Sequence, residues 1–100
     1  MKPSTREFKS LDQFFKEAGF NVGISRLVYT RDIGKQTMLI VEGRRVKGAS
    51  DLRFTFYKAS YEPRFHGKMS RVKVYCVDKP ARQVLQRVYR HLQYMKLLEV

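Results

Sequence analysis

"MSRVKVYCVDKPARQVLQRV", residues 69–88, changes its period in the middle. As far as Val77 it alternates: Val72, Val74 and Cys76 share one parity, and Arg71, Lys73 and Tyr75 share the other. After Pro80 the apolar residues recur at helical spacing. Ala81, Val84, Leu85, Val88, Leu92 and Met95 form a single stripe, opposite Gln83, Gln86, Arg87, Arg90, Gln93 and Tyr94. The stretch is predicted to be a strand running into a long helix, with Asp78 as N-cap and Pro80 in the first helical turn. The apolar parity of the strand is expected to face the core and the basic, aromatic parity to face outward.

The preceding segments extend this pattern. "DLRFTFYKAS" (51–60) puts Leu52, Phe54 and Phe56 inward, with Arg53, Thr55 and Tyr57 outward. "KQTMLIVE" (35–42) is apolar on both parities, which suits a central strand covered on at least part of both faces. "FNVGISRLVYT" (20–30) reads as one further extended segment, with Val22, Ile24 and Val28 on one parity. Two basic stretches, "GRRVKGAS" (43–50) and "YEPRFHGK" (61–68), read as loops. Upstream, Ser10 and Gln13 fit an S-x-x-Q capping box, Leu11, Phe14, Phe15 and Ala18 make a buried stripe, and Gly19 is placed to end the helix. The expected architecture is a single α+β domain over residues 10–100, behind a polar lead-in of residues 1–9. It comprises an antiparallel sheet of about four strands between a short N-terminal helix and a long C-terminal helix, in the order α-β-β-β-β-α.

With 100 residues, 43% of them hydrophobic, the chain can bury a core without metals or disulfides. The lone Cys76 has no partner for an internal disulfide and is expected to be a buried thiol in a reducing compartment. No apolar run reaches the ~18 residues of a membrane span, and the first ten residues lack the apolar stretch of a secretion signal. An intracellular, cytoplasmic protein with no membrane partner is expected.

Charge is the strongest global signal. Twenty-one Lys and Arg oppose nine Asp and Glu, giving +12. Self-repulsion on that scale disfavours the compact state, so a polyanionic partner is expected, nucleic acid foremost. Arg53 and Tyr57 on one strand, with Arg71, Lys73 and Tyr75 on another, interleave cations for phosphates with rings for unpaired bases. Arg44, Arg45 and Lys47 in one loop, and Arg64 and Lys68 in the other, would clamp the backbone. Arg87 and Arg90 on the polar side of the last helix would add further contacts. RNA or single-stranded DNA is the favoured ligand, and the sheet is favoured over the helix as the surface that binds it.

Other readings stay open. The Arg/Gln face of the last helix could instead read a duplex DNA groove. The basic surface could serve an adaptor that binds an acidic protein, with Leu97 and Leu98 forming a homodimer contact. Tyr61, Arg64, His66 and Lys68 together contain the residue types of a metal-independent ribonuclease of toxin type. No cofactor motif and no metal-ligand spacing is present, so a binding module without a cofactor is expected.

Overall fold

The computed structural model describes residues 10–62 and 68–96 of the chain. Among these, α1 (Leu11–Glu17), β1 (Asn21–Ile24), β2 (Val28–Asp32), β3 (Thr37–Arg45), β4 (Leu52–Glu62), β5 (Lys68–Pro80) and α2 (Ala81–Tyr94) follow in chain order. The five strands make one antiparallel sheet in the order β1-β2-β3-β4-β5, so every strand pairs with its sequence neighbour. The domain is α+β with a helix at each end, as the sequence indicates. The fifth strand arises because residues 20–30 do not run straight. They fold into the β1–β2 hairpin, with Arg26 at a φ of 68° between its arms. Tyr29 rather than Val28 enters the core, and Ile24 is exposed.

Both helices lie on the same face of the sheet. Phe15 and Ala18 of α1, with Val84, Val88 and Leu92 of α2, close over Phe20, Tyr29, Leu39, Val41, Phe54 and Phe56. In β4 the alternation holds as read: Phe54 and Phe56 go to the helices, while Thr55 and Tyr57 go to the far face. There Tyr57 joins Ile40, Ala59 and Met38 in a smaller cluster. β3 contributes Leu39 and Val41 to one cluster and Met38 and Ile40 to the other, which is why its sequence is apolar on both parities. β3 also runs further than expected. Gly43, Arg44 and Arg45 are strand rather than loop, paired to Phe54, Arg53 and Leu52.

The ends of α1 follow its sequence signals in part. Ser10 Oγ accepts the Gln13 amide at 3.1 Å, and Gly19 takes the positive φ of 87° that an L side chain resists. The Gln13 side chain donates to Glu17 instead of closing a capping box. Beside them, Asp12 does structural work that its position alone does not announce. Its carboxylate accepts from Ser25 Oγ, from the Tyr29 hydroxyl at 2.6 Å and from the Arg26 amide at 2.9 Å, pinning the β1–β2 hairpin to α1. The left-handed Arg26 costs about 1–2 kcal/mol in backbone terms, and its hydrogen bond to Asp12 offsets part of that.

Those hydrogen bonds, Ser25's first, hold the Asp12 carboxyl down at about 2. The folded value therefore lies below the unfolded one near ~3.9. The stability that the ionised carboxylate confers is complete above the unfolded value and is lost as pH falls through the folded one. Melting temperature should accordingly climb between about pH 2 and about pH 4, and Asp12→Asn should make that climb shallower. Asp78, lowered by its own hydrogen bonds to Arg44, leaves part of the slope in place. Equal slopes in the two proteins would remove Asp12 as the hairpin's anchor.

β5 departs most from its reading. Phe56 pairs with Cys76 and Tyr57 with Val74, while Lys58 pairs with Lys73 and Ala59 with Arg71. Each of these single steps on β4 spans two residues on β5, so Tyr75 and Val72 are extra. A third irregularity falls between the Phe54–Lys79 and Phe56–Cys76 pairs, where Asp78 has a φ of 49°. An extra residue inverts the alternation beyond it. Val72 and Val74 are therefore not core residues, being 55% and 41% exposed. Lys73 and Tyr75 are not on the outer face with Tyr57; they turn toward α2. Cys76 stays on the helix side, half-buried.

Asp78 does not cap α2. The N-cap position is Pro80, with a φ of −60° and no side-chain cap, and the strand passes into the helix without a loop. Asp78 instead takes a bidentate grip on Arg44, at 3.0 and 2.6 Å, and its amide donates to Thr55 Oγ1.

Candidate nucleic-acid interface

The far face of the sheet carries Arg44, Arg53, Thr55, Tyr57 and Arg71, and most of their chemistry is already spent. Arg44 and Arg53 sit opposite each other across β3 and β4, a like-charge pair that Asp78 relieves through its bond to Arg44. Arg71 lies 4.4 Å over the Tyr57 ring and 3.6 Å from Glu42, whose other contact is the Tyr57 hydroxyl at 2.7 Å. Burial and that bond to Glu42 push the Tyr57 hydroxyl up to about 12. Thr55 and Tyr57 are buried. A cavity of about 350 Å³ opens here, but Glu42 and Asp78 line it beside Arg44 and Arg71. A base has no free ring to stack on at Tyr57, and a phosphate would meet carboxylates.

The opposite arrangement lies along the groove between β5 and α2. One cavity, about 430 Å³, is lined by Lys73, Tyr75, Arg87, Arg90, His91 and Tyr94. The next, about 250 Å³, is lined by Cys76, Lys79, Gln83, Gln86, Arg87 and Arg90. They share Arg87 and Arg90 and lie side by side along the groove between the edge strand and α2. Residues 83, 87, 90 and 94 come to it because i, i+4, i+7 and i+11 fall on one helix face. No carboxylate lines either cavity among the described residues.

Tyr75 is the aromatic centre of the larger cavity. Its ring packs 4.8 Å from Phe56 and 4.3 Å from His91, with the Arg87 guanidinium 5.2 Å from its centroid and Lys73 Nζ at 5.9 Å. Burial raises the Tyr75 hydroxyl above its ordinary value, with Arg87 opposing. Tyr94 is 85% exposed at the open end. Cys76 lines the floor as a protonated thiol, its pKa raised by burial. Lys73 is paired directly with Lys58 across the strands, and no ion pair of either with a carboxylate exists among the described residues.

The residues picked out from sequence thus separate. Lys73, Tyr75, Arg87 and Arg90 come together; Arg53, Tyr57 and Arg71 stay on the far face, and Arg44 is paired. Sheet and helix were expected to be alternative surfaces, and the bulges of β5 join parts of both into one groove. Arg45 and Lys47 are exposed near the end of β3. Arg64, His66, the side chain of Lys68, and Leu97 and Leu98 lie outside the described residues. His91 is the groove residue that sequence reasoning passed over. It follows Val84 and Val88 at i+7 and i+3, so the helical period already placed it beside the buried stripe.

Neither a protein-family model nor a solved structure matches the chain. It is 44% identical over 87 residues to the "Uncharacterized protein YddA" of Bacillus subtilis (strain 168), a match that spans 87% of this chain and 83% of the relative. At that identity and coverage the chain belongs to the same family as its relative.

Proposed function

We propose that this chain, a member of the family of YddA, binds single-stranded nucleic acid along the β5–α2 groove and acts as a binding module. The observation that carries this reading is the acid-free groove itself. Lys73, Lys79, Arg87 and Arg90 line it without a neutralising carboxylate among the described residues, although Asp12, Glu42 and Asp78 each make bonds elsewhere. A polyanion would supply the missing charge, and each phosphate contact would release counterions. From Lys73 to Lys79 the bulged strand keeps pace with only the four β4 steps between Lys58 and Phe54, about 13 Å at ~3.3 Å per residue, enough for more than one phosphate.

Single strands are favoured over duplexes because the groove ends in a ring open to solvent. Unpaired bases can stack on Tyr94, whereas paired bases present no free face. Tyr94→Ala should weaken binding of a single-stranded oligonucleotide by about 1–3 kcal/mol and leave the thermal melt unchanged, since so exposed a ring adds little to the core. Fluorescence anisotropy at fixed salt, with single- and double-stranded RNA and DNA, tests the reading. Preference for a duplex, or retention of an acidic protein in a nuclease-treated pull-down without any oligonucleotide binding, would overturn it.

A further inference from the structure

Of all the groups that line the groove, His91 is the one with something missing. It is only 8% exposed, and its Nε2 has no hydrogen-bond partner. Phe56 meets it edge-on at 5.6 Å and Tyr75 packs at 4.3 Å, so apolar and aromatic surface surrounds the ring. A buried polar atom left unpaired costs stability. Among the described residues, the charges nearest it are all of one sign. Lys58 comes from β4, Lys73 from β5 and Arg87 from α2, while Arg90 lines the same cavity. Among the described residues, the partial negative charge at the C-terminal end of α2 is what opposes them.

We infer that the cavity between Lys73, Arg87 and Arg90 is a phosphate subsite with His91 as its floor, and that His91 gains a proton when the phosphate enters. The inference rests on the groove being the nucleic-acid surface, and it adds a site and a pH response to that reading. An oxygen bearing negative charge supplies both missing elements. It neutralises the converging cations, and it offers Nε2 an acceptor. Nε2 is closed off from solvent in the free protein, so the oxygen reaches it with a local shift of the side chains that line the cavity.

The free protein holds His91 below its ordinary pKa, first by burial and then by repulsion from Arg87, Lys58 and Lys73. A phosphate removes the repulsion, so the bound value lies above the free one. The sign follows from linkage. Affinity should rise as pH falls through the bound value and level off below the free one, with at most one proton taken up.

Nuclear magnetic resonance of the His91 ring across pH, alone and with a ten-residue oligothymidylate, reads this directly. The internal phosphodiesters do not titrate in this range, so a 5′-hydroxyl oligonucleotide isolates the protein's proton. The same strand with a 5′-phosphate distinguishes a chain end from an internal phosphate as occupant. Expected is an upward move of the His91 titration on binding, and an affinity that tightens by roughly threefold or more from about pH 7.5 to about pH 5.5. That pH response should vanish in His91→Gln and persist in His66→Gln. Binding that shifts Lys73 and Arg87 signals but leaves the His91 titration unmoved overturns the subsite and spares the groove. If the oligonucleotide does not bind, titration with inorganic phosphate decides: a raised His91 titration keeps the subsite and removes the nucleic-acid reading, and an unmoved one removes both.

Discussion

Phe54→Ala is expected to cost about 3–5 kcal/mol and to remove a large share of the domain's stability. A domain of this size has only about 5–15 kcal/mol in total. Phe54 is buried where both helices meet the sheet, beside Leu11, Phe15, Val41, Ala81, Val84 and Leu85. Its ring occupies the space that a side chain on its cross-strand partner would need: a Cβ at Gly43 would stand 2.6 Å from Phe54 Cε2. Gly43→Ala should therefore destabilise by roughly 1–3 kcal/mol through overcrowding. The two sites are coupled, and the combination locates the cause. With a smaller Leu at position 54, the added methyl at position 43 should cost less than it does beside Phe. Urea titrations of the two single variants and the double variant measure this. Simple additivity would show that the ring does not depend on the glycine.

The same residue illustrates what was legible in the sequence. Phe54 and Phe56 were assigned to the helix-facing side from their spacing, and they lie there because β4 contributes no extra residue at its irregular pairings. The stripe of α2 was equally readable, since Val84, Val88 and Leu92 are buried at the helical period. β5 obeyed a different constraint. As an edge strand it has one free side, where extra residues are tolerated, and three irregularities re-aim its side chains. Nothing in "RVKVYCV" marks them, because none falls on a glycine. Asp78, with its tolerance of positive φ, is the one residue whose type fits the position it takes. The same blindness hid the β1–β2 turn, where an arginine holds the left-handed position usually given to Gly or Asn.

The candidate site was legible as composition rather than as place. Excess positive charge around "RVKVYC" and α2 was plain, but which cations were free depended on where two carboxylates went. Glu42 and Asp78 come from separate strands and converge on the far face only through pairing across the sheet. Their arrival there leaves the groove without a carboxylate among the described residues, and alternation alone could not have revealed it.

Replacing Lys73, Arg87 and Arg90 together with Gln should accordingly lower the slope of log K against log salt by about 2.1 on a single strand, roughly 0.7 for each lost phosphate contact. With the intercept at 1 M salt unchanged, that slope corresponds to roughly a hundredfold weaker binding at about 0.1 M. Replacing Arg44 and Arg71 with Gln should alter the slope far less, since Asp78 and Glu42 already occupy them. Stability supplies an independent check with the opposite sign. Lys58 faces Lys73 with no carboxylate to relieve it among the described residues, so the free domain carries a repulsion that a ligand would remove. The groove variant should therefore melt at a higher temperature than the parent while binding more weakly, whereas loss of the Arg44–Asp78 bond should lower the melt. If the far-face pair carries the larger salt-slope change, nucleic acid lies across the sheet and Glu42 and Asp78 must give up their arginines to it. If both sets weaken binding equally and neither raises the melt, the charge acts as a diffuse field and the groove has no special claim.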